Sequence, residues 1–151
     1  MTLKEEKARA LFREGYNCAQ SVVGAFCDEM QMEKETALRL ASSFGGGMGR
    51  LREVCGTVSG MFLIAGALYG YDAPKDYEAK KEHYERIQEL AARFQAENGS
   101  IVCRELLGAA GRDNSPAPSR RTEEYYKKRP CEELVGTAAR IMEAYMARQE
   151  G

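Results

Sequence analysis

Apolar residues recur along most of this chain with the three- and four-residue spacing of amphipathic α-helices. The clearest pattern lies between residues 131 and 145, at i, i+3, i+4, i+7, i+11 and i+14: Cys131, Leu134, Val135, Ala138, Met142 and Tyr145. A second stripe predicts a helix from Asn17 to about Met30: Ala19, Val22, Val23, Phe26 and Met30. No segment of useful length alternates apolar and polar residues as a β-strand does. The pattern therefore predicts an all-α fold.

Capping residues and glycines set the expected helix boundaries. Thr2 and Glu5 form a capping box for a first helix that continues to about Arg13. Asn98-Gly99 ends a long charged helix, and Ser100 is expected to cap the short one after it. The remaining predicted helices cover about 34–43, 54–70, 75–97, 101–108 and 130–145, and residues 109–121 are predicted to form a mobile loop. The sum is a compact single-domain bundle of five to seven helices.

The length and net charge of the chain indicate a single domain and give no support for binding to nucleic acids or anionic membranes. With 151 residues a single domain is the default, and a net charge of -1 gives no reason to propose a nucleic acid or an anionic membrane as partner. The stretch 54–71 is uncharged for 18 residues, but its glycines and hydroxyls favour a buried helix over a membrane span. The charged start lacks the apolar core of a secretory signal, so we expect a cytoplasmic, thiol-reducing location.

Four of the five cysteines fall in the first turn of a predicted helix: Cys18, Cys55, Cys103 and Cys131. Free N–H groups and a partial positive charge at a helix N-terminus stabilise a thiolate, which is the form that attacks disulfides and binds metals. Each of these residues alone is explained as well by apolar packing; their shared placement favours a common site. Cys27 lies nine residues after Cys18 among apolar residues, so we interpret it as a core thiol.

The spacing of the four cysteines leaves several chemistries open. No C-x-x-C pair occurs, which disfavours a zinc knuckle, and ferredoxin spacing is also absent. Cysteines dispersed in this way could still converge in a bundle as a dithiol site, as ligands of an iron–sulfur cluster, or as a Cys₄ zinc site. A helical interaction module whose cysteines only fill the core is the remaining alternative.

A glycine run precedes the uncharged helix. Gly45, Gly46 and Gly47 could present backbone N–H groups to an anion or a cofactor, or could simply form a tight turn. Gly56 starts the helix on the face that it shares with Gly60, where a cofactor or, more simply, another helix can approach closely. Arg50 and Arg52 could favour a thiolate at Cys55 or be solvated.

Two further features receive the simpler interpretation. His83 is the one imidazole of the chain and is expected at the edge of the buried face rather than as a ligand. The segment 120–129 has a local charge of +3 and two tyrosines, and we expect a solvated loop there, with contact to a phosphate or an acidic partner as the alternative.

Taken together, these motifs resemble the C_GCAxxG_C_C family of redox-active proteins. The resemblance rests on Cys18, on the glycine run, on Cys55-Gly56-Thr57-Val58-Ser59-Gly60, on Cys103 and on Cys131, and it extends from about residue 10 to 145. Thr57 stands where the family signature has alanine. Cys27 matches no position of the pattern.

The resemblance implies that the functional residues are the same four cysteines. It suggests a thiol-based oxidoreductase or an electron carrier, with Cys18, Cys55, Cys103 and Cys131 as catalytic residues or as metal ligands. It names no substrate and no redox partner. A homodimer formed through the long amphipathic last helix is also open.

Overall fold

Helices form nearly all of the regular structure, as the apolar spacing predicts. The computed structural model describes residues 1–150, and within them the only β-type pairing is a single bridge between Val54 and Val102. Six helices have seven residues or more: α1 (Leu3–Arg13), α2 (Cys18–Gly24), α4 (Lys34–Ser42), α6 (Gly56–Tyr69), α7 (Tyr77–Asn98) and α10 (Cys131–Glu150). The all-α prediction is confirmed.

Shorter helical segments join these six. They are α3 (Cys27–Met30), α5 (Gly45–Met48), α8 (Cys103–Leu107), a 3-10 helix (Gly108–Arg112) and α9 (Glu123–Lys128). Within residues 1–150 no helix is long and apolar enough to cross a membrane.

Local capping explains several of the helix ends. Thr2 and Glu5 form the predicted capping box of α1, and α7 ends at Gly99, whose φ of 88° lies in the left-handed region that favours glycine. The helix predicted over about 101–108, with Ser100 as its cap, instead begins at Cys103 and follows Val102 as the N-cap residue. The hydroxyl of Ser100 accepts from the backbone N–H of Val102, just before the helix starts.

Two predictions about helix extent are wrong. The stripe from Asn17 to Met30 is one helix in the sequence pattern, but the backbone leaves helical geometry at Phe26, with φ of -118° and ψ of 16°. The break coincides with complete burial of the Phe26 side chain in the core. Residues 123–128, which the sequence assigns to a solvated loop, form α9, capped by Thr122. The segment 109–121 begins with the 3-10 helix and is otherwise irregular; its mobility stays a prediction.

The core lies where α2, α6 and α10 meet, and α1 covers α10. Helix α6 contains no charged residue and reaches α2 closely through its glycines. A Cβ on Gly60 would stand 3.1 Å from Val22 Cβ and 3.2 Å from the Ala19 carbonyl, so the absence of a side chain sets the distance between these helices. The predicted close packing of another helix on this face is confirmed. Because α2 and α6 approach so closely, their N-termini also come together.

Candidate functional site

The start of α2 fixes the first cysteine. Asn17 caps the helix by accepting from the Gln20 backbone, and the Gln20 side chain in turn accepts from the Asn17 N–H. The Asn17 amide also donates to the Ser42 carbonyl at 3.1 Å, which ties this cap to the end of α4. Cys18 is the first residue of the helix, and its position is therefore fixed by the hydrogen bonds that both ends of the Asn17 side-chain amide form.

The second and third cysteines are held side by side by a short stretch of paired backbone. Residues 53–55 pair with residues 101–103 around the bridge between Val54 and Val102. The Cys55 N–H donates to Ile101 at 2.7 Å, and the Cys103 N–H donates to Glu53 at 2.6 Å. Cys55 occupies the N-cap position of α6, and Cys103 is the first residue of α8. This pairing brings together two cysteines that are far apart in the sequence.

Salt bridges place the fourth cysteine. Cys131 begins α10, and the next residue, Glu132, accepts from Arg9 at 2.9 Å and pairs with Arg13 at 2.8 Å. Both arginines lie on α1. The N-terminus of α10 is thus held against α1, and Cys131 is positioned by the helix that covers it.

All four cysteines line one cavity of about 280 Å³. Its wall is formed by the helix starts just described, by the glycine segment α5, and by the irregular segment 113–121, which contributes Pro116, Pro118, Ser119 and Arg121. Cys55 and Cys103 are buried, whereas Cys18 and Cys131 are partly accessible. Residues 1–150 contain no disulfide, so all four are free thiols. The structure thus brings together the four sequence-predicted cysteines and leaves Cys27 elsewhere in the core, where its thiol contacts the Val23 carbonyl.

Glycine is required at two contacts with these cysteines. A Cβ on Gly56 would stand 2.5 Å from Cys18 Sγ, and a Cβ on Gly47 would stand 2.6 Å from Cys103 Cβ. Gly46 and Gly47 have φ of 66° and 74°, so the chain turns sharply here in a conformation that suits glycine. Gly45, Gly46 and Gly56 line the cavity; Gly47 packs behind Cys103 instead. Their predicted role in binding a cofactor stays a prediction.

The expected stabilisation of thiolates by helix N-termini is outweighed by burial. Removal from water raises the pKa of Cys18, although the N–H of Gly46 opposes this shift by pointing at the sulfur. Burial also raises the pKa of Cys55, and together with the charge of Cys18 it raises the pKa of Cys131 to about 12. These three cysteines are therefore neutral thiols at physiological pH. They become thiolates only when a nearby cation stabilises the negative charge that deprotonation creates.

The cavity carries positive charge without acidic partners on its wall. Four arginines line it, Arg50, Arg52, Arg121 and Arg129, whereas no aspartate or glutamate of the described chain does. Of the four, Arg50 forms a salt bridge, with the exposed Asp113. The cavity as it stands therefore suits an occupant or a set of thiolates with net negative charge.

Arg52 is the unexpected member of this group. It is only 3% exposed and has a left-handed backbone with φ of 64°. Its Nε donates to the Asp113 carbonyl at 2.9 Å, its Nη1 lies 3.6 Å from Cys103 Sγ, and its buried Nη2 has no hydrogen-bond partner among residues 1–150. The sequence places this residue close to Cys55 and leaves a solvated role open; burial against Cys103 is not predicted. A buried guanidinium without a carboxylate is costly unless a thiolate or another anion faces it.

The four cysteines are not arranged for a single ion. Among residues 1–150, no three His, Cys, Asp or Glu side chains are grouped closely enough to hold one metal ion. His83 takes no part, since it lies on α7 beside Arg86 and Tyr71. The metal role predicted for the cysteines therefore remains a prediction.

The raised thiol pKa values predict that the metal-free protein loses stability with rising pH. An unfolded cysteine releases its proton near pH 8.5, whereas folded Cys131 holds its proton until about pH 12. Between these values the unfolded state binds fewer protons, so the free energy of unfolding falls as pH rises, by about 1.4 kcal/mol per pH unit for each such thiol. Urea unfolding of the reduced protein from pH 8 to 10 checks this. Cys131→Ala should flatten the slope, and an unchanged slope would contradict the assignment.

Fold and site together define a class: a small all-α protein that gathers four separate cysteines around one positively charged cavity. The family comparison is more specific. The chain belongs to the C_GCAxxG_C_C family, described as "Putative redox-active protein", whose model matches residues 16–145. The resemblance found in the sequence is confirmed. No similar curated protein and no similar solved structure was found.

Proposed function

We propose that this protein is an electron carrier in which Cys18, Cys55, Cys103 and Cys131 hold an iron–sulfur cluster. The observation that carries the proposal is the convergence of four thiols, from four separate helix starts, on one cavity. Soft thiolate ligands select iron–sulfur clusters, and four cysteines are the usual ligand set for two-iron and four-iron clusters.

The electrostatics of the cavity support such an occupant. Burial keeps three of the thiols protonated. Binding to a metal would release these protons, because the metal cation stabilises the thiolate in place of the proton. A cluster with four thiolates is anionic overall, which matches a wall that contains four arginines and no carboxylate of the described residues. The Nη1 of Arg52 is then a donor 3.6 Å from the sulfur of the ligand Cys103, and its buried Nη2 is a second donor that has no partner among residues 1–150.

Each residue of the site has a defined task in this proposal. The four cysteines are the ligands, Gly56 lets Cys18 reach its position, and Gly47 does the same for Cys103. Arg52 offsets negative charge at Cys103, and the segment 113–121 limits the access of water. The bound cluster would supply one-electron transfer without making or breaking a covalent bond in a substrate.

Cysteine substitutions test the proposal, with Cys27 as the matched control. Protein purified without oxygen and loaded with iron and sulfide is expected to hold about two or four of each and to absorb visible light. Cys55→Ser and Cys103→Ser should lower the iron content at least tenfold, because each removes one ligand. Cys27→Ser, which changes a cysteine outside the cavity, should retain the wild-type iron content and spectrum.

Two results would contradict the cluster. Stoichiometric zinc with no affinity for iron would point to a Cys₄ zinc site, and equal iron loss in Cys27→Ser would show that iron binding is not confined to the four cysteines. A colourless protein that holds neither metal would leave the helical interaction module or the second candidate below.

A dithiol site formed by Cys18 and Cys55 is the second candidate, and it is supported by the contact of Cys18 with the residue next to Cys55. Cys18 Sγ packs directly on Gly56, the residue after Cys55, and the charge of Cys18 adds to burial in raising the pKa of Cys55. In this alternative the two thiols reduce a substrate disulfide to two thiols and become a disulfide themselves, with two electrons and two protons passing to the substrate. Reversible loss of two titratable thiols, abolished in Cys18→Ser but retained in Cys103→Ser, would support it.

A further inference from the structure

A second concave surface lies on the outside of the protein, behind the fourth cysteine. It is a groove of about 350 Å³ between α1, α9 and the start of α10. We call it the basic groove. It is lined by Arg9, Arg13, Tyr126, Lys127, Lys128, Arg129, Pro130, Glu132 and Glu133. The cysteine cluster does not account for this surface.

The groove concentrates positive charge in a chain that is nearly neutral. Five of its lining residues are cationic and two are acidic, whereas the whole chain has a net charge of -1. Glu132 is held by Arg9 and Arg13, so one carboxylate is shared by two arginines. Lys128 pairs with Glu124, but both side chains are largely exposed, and such a pair is readily exchanged for another partner. The basic segment 120–129 noted in the sequence forms much of this surface.

The groove is continuous with the cysteine cavity. Arg129 lines both, with its Nη2 donating to Ser119 on the cavity wall at 3.1 Å. Pro130 lines the groove, and the next residue, Cys131, lines the cavity. A molecule seated in the groove would therefore lie one residue along the backbone from the cavity-lining cysteine of α10.

We propose that the basic groove is the docking surface for an acidic protein. Charge complementarity of this kind steers association and sets orientation more than it adds affinity, which suits a carrier that must bind and release. That the partner is a redox protein rests on the function proposed above; that an acidic protein binds at the groove rests on the charge and shape of the groove itself.

The test is an equilibrium titration with a plant-type ferredoxin, a small acidic electron carrier, at low and at high ionic strength. The wild-type protein is expected to bind it at low salt and to lose most of this affinity as salt screens the charges. The double variant Lys127→Glu with Lys128→Glu should weaken binding at least tenfold at low salt, because it reverses two exposed charges of the groove. Thermal unfolding of the variant checks that the fold is unchanged.

The matched control is the double variant Lys75→Glu with Lys81→Glu, which changes the net charge by the same amount. These lysines are exposed and lie near the start of α7, which packs against the far end of α10: Arg86 donates to Tyr145, and Arg148 donates to Glu89. The length of α10, 20 residues or roughly 30 Å, separates them from the groove. The control should bind ferredoxin as the wild type does.

Four outcomes would overturn the docking proposal. The first three are no binding to ferredoxin at low salt, equal weakening in both double variants, and binding of the wild type to basic cytochrome c that is as tight as its binding to ferredoxin. Duplex DNA that displaces ferredoxin from the wild type at stoichiometric amounts would overturn it in favour of a nucleic-acid surface. Because the titration needs no cluster, a protein that binds ferredoxin at the groove but holds no iron would refute the proposed function and keep this one.

Discussion

Replacing Gly56 with alanine is expected to destroy the cysteine site and to destabilise the fold. The new Cβ would stand 2.5 Å from Cys18 Sγ, 2.7 Å from the Phe44 carbonyl and 3.2 Å from the Ala19 N–H nitrogen. Two of these three atoms are backbone, so no rotamer change relieves the overlap. Overpacking of this kind typically costs about 1–3 kcal/mol, and here relief requires α6 to move away from α2. Cys18 would leave its position with it.

Urea unfolding of the metal-free protein measures the loss of fold stability, and iron content after loading measures the loss of the cysteine site. Gly66→Ala is the matched control, since Gly66 lies on the same helix, is exposed, and would place a new Cβ in open space with no neighbouring atom within 4 Å. Alanine is favoured over glycine inside a helix by up to about 1 kcal/mol, so this variant should be as stable as the wild type or more stable. A Gly56→Ala protein with normal stability and normal iron content would refute the packing described for Gly56.

Replacing Arg52 with glutamine is expected to impair the loaded protein far more than the metal-free one. Glutamine is shorter and uncharged, so it removes the cation beside Cys103 while keeping a polar group near the Asp113 carbonyl. In the metal-free state the guanidinium has no carboxylate partner among the described residues, and its loss should lower the free energy of unfolding by no more than about 1 kcal/mol. In the loaded protein, where Cys103 would be a thiolate, the substitution removes a favourable charge interaction between this thiolate and the guanidinium.

The size of that lost interaction sets the expected result. Two unit charges about 4 Å apart attract by about 4 kcal/mol at an effective dielectric constant of about 20, and about 1.4 kcal/mol already changes an equilibrium tenfold. When the loaded protein is equilibrated with a chelator, the concentration that removes half of the iron should therefore be at least tenfold lower for Arg52→Gln than for the wild type. Arg112→Gln, at an exposed position, is the control and should match the wild type. Equal chelator sensitivity in both variants would show that Arg52 is only a structural tie to the segment 113–121.

Local signals explain what could be predicted about the fold. Caps act within one turn, so Thr2, Asn17 and the pair Asn98-Gly99 mark their helix ends without any knowledge of the rest of the chain. The stripe on α10 is long enough to identify its buried face. The four cysteines at helix starts were also visible, because each follows a break in the apolar pattern, and the structure brings all four to one cavity.

Features that depend on distant contacts could not be predicted in the same way. The break at Phe26 coincides with the complete burial of that ring among residues distant in the sequence, and α9 has no buried residue to produce a pattern. The sequence leaves Arg52 open between a partner of a thiolate and a solvated residue, and its burial depends on contacts with distant residues such as Asp113 and Cys103. The thiol pKa values were misjudged for the same reason: a helix start is a local feature, whereas desolvation depends on the whole fold.

The wide separation of the four cysteines has a consequence for how the protein is made. Cys18 belongs to the second helix of the chain and Cys131 to the last one described, and α10 is held in place by the first helix through Glu132. The ribosome must therefore release nearly the whole described chain before the four thiols can meet. Any group that the four thiols bind together would therefore be inserted only after Cys131 has been synthesised, and its binding would be coupled to the packing of the first helix against α10.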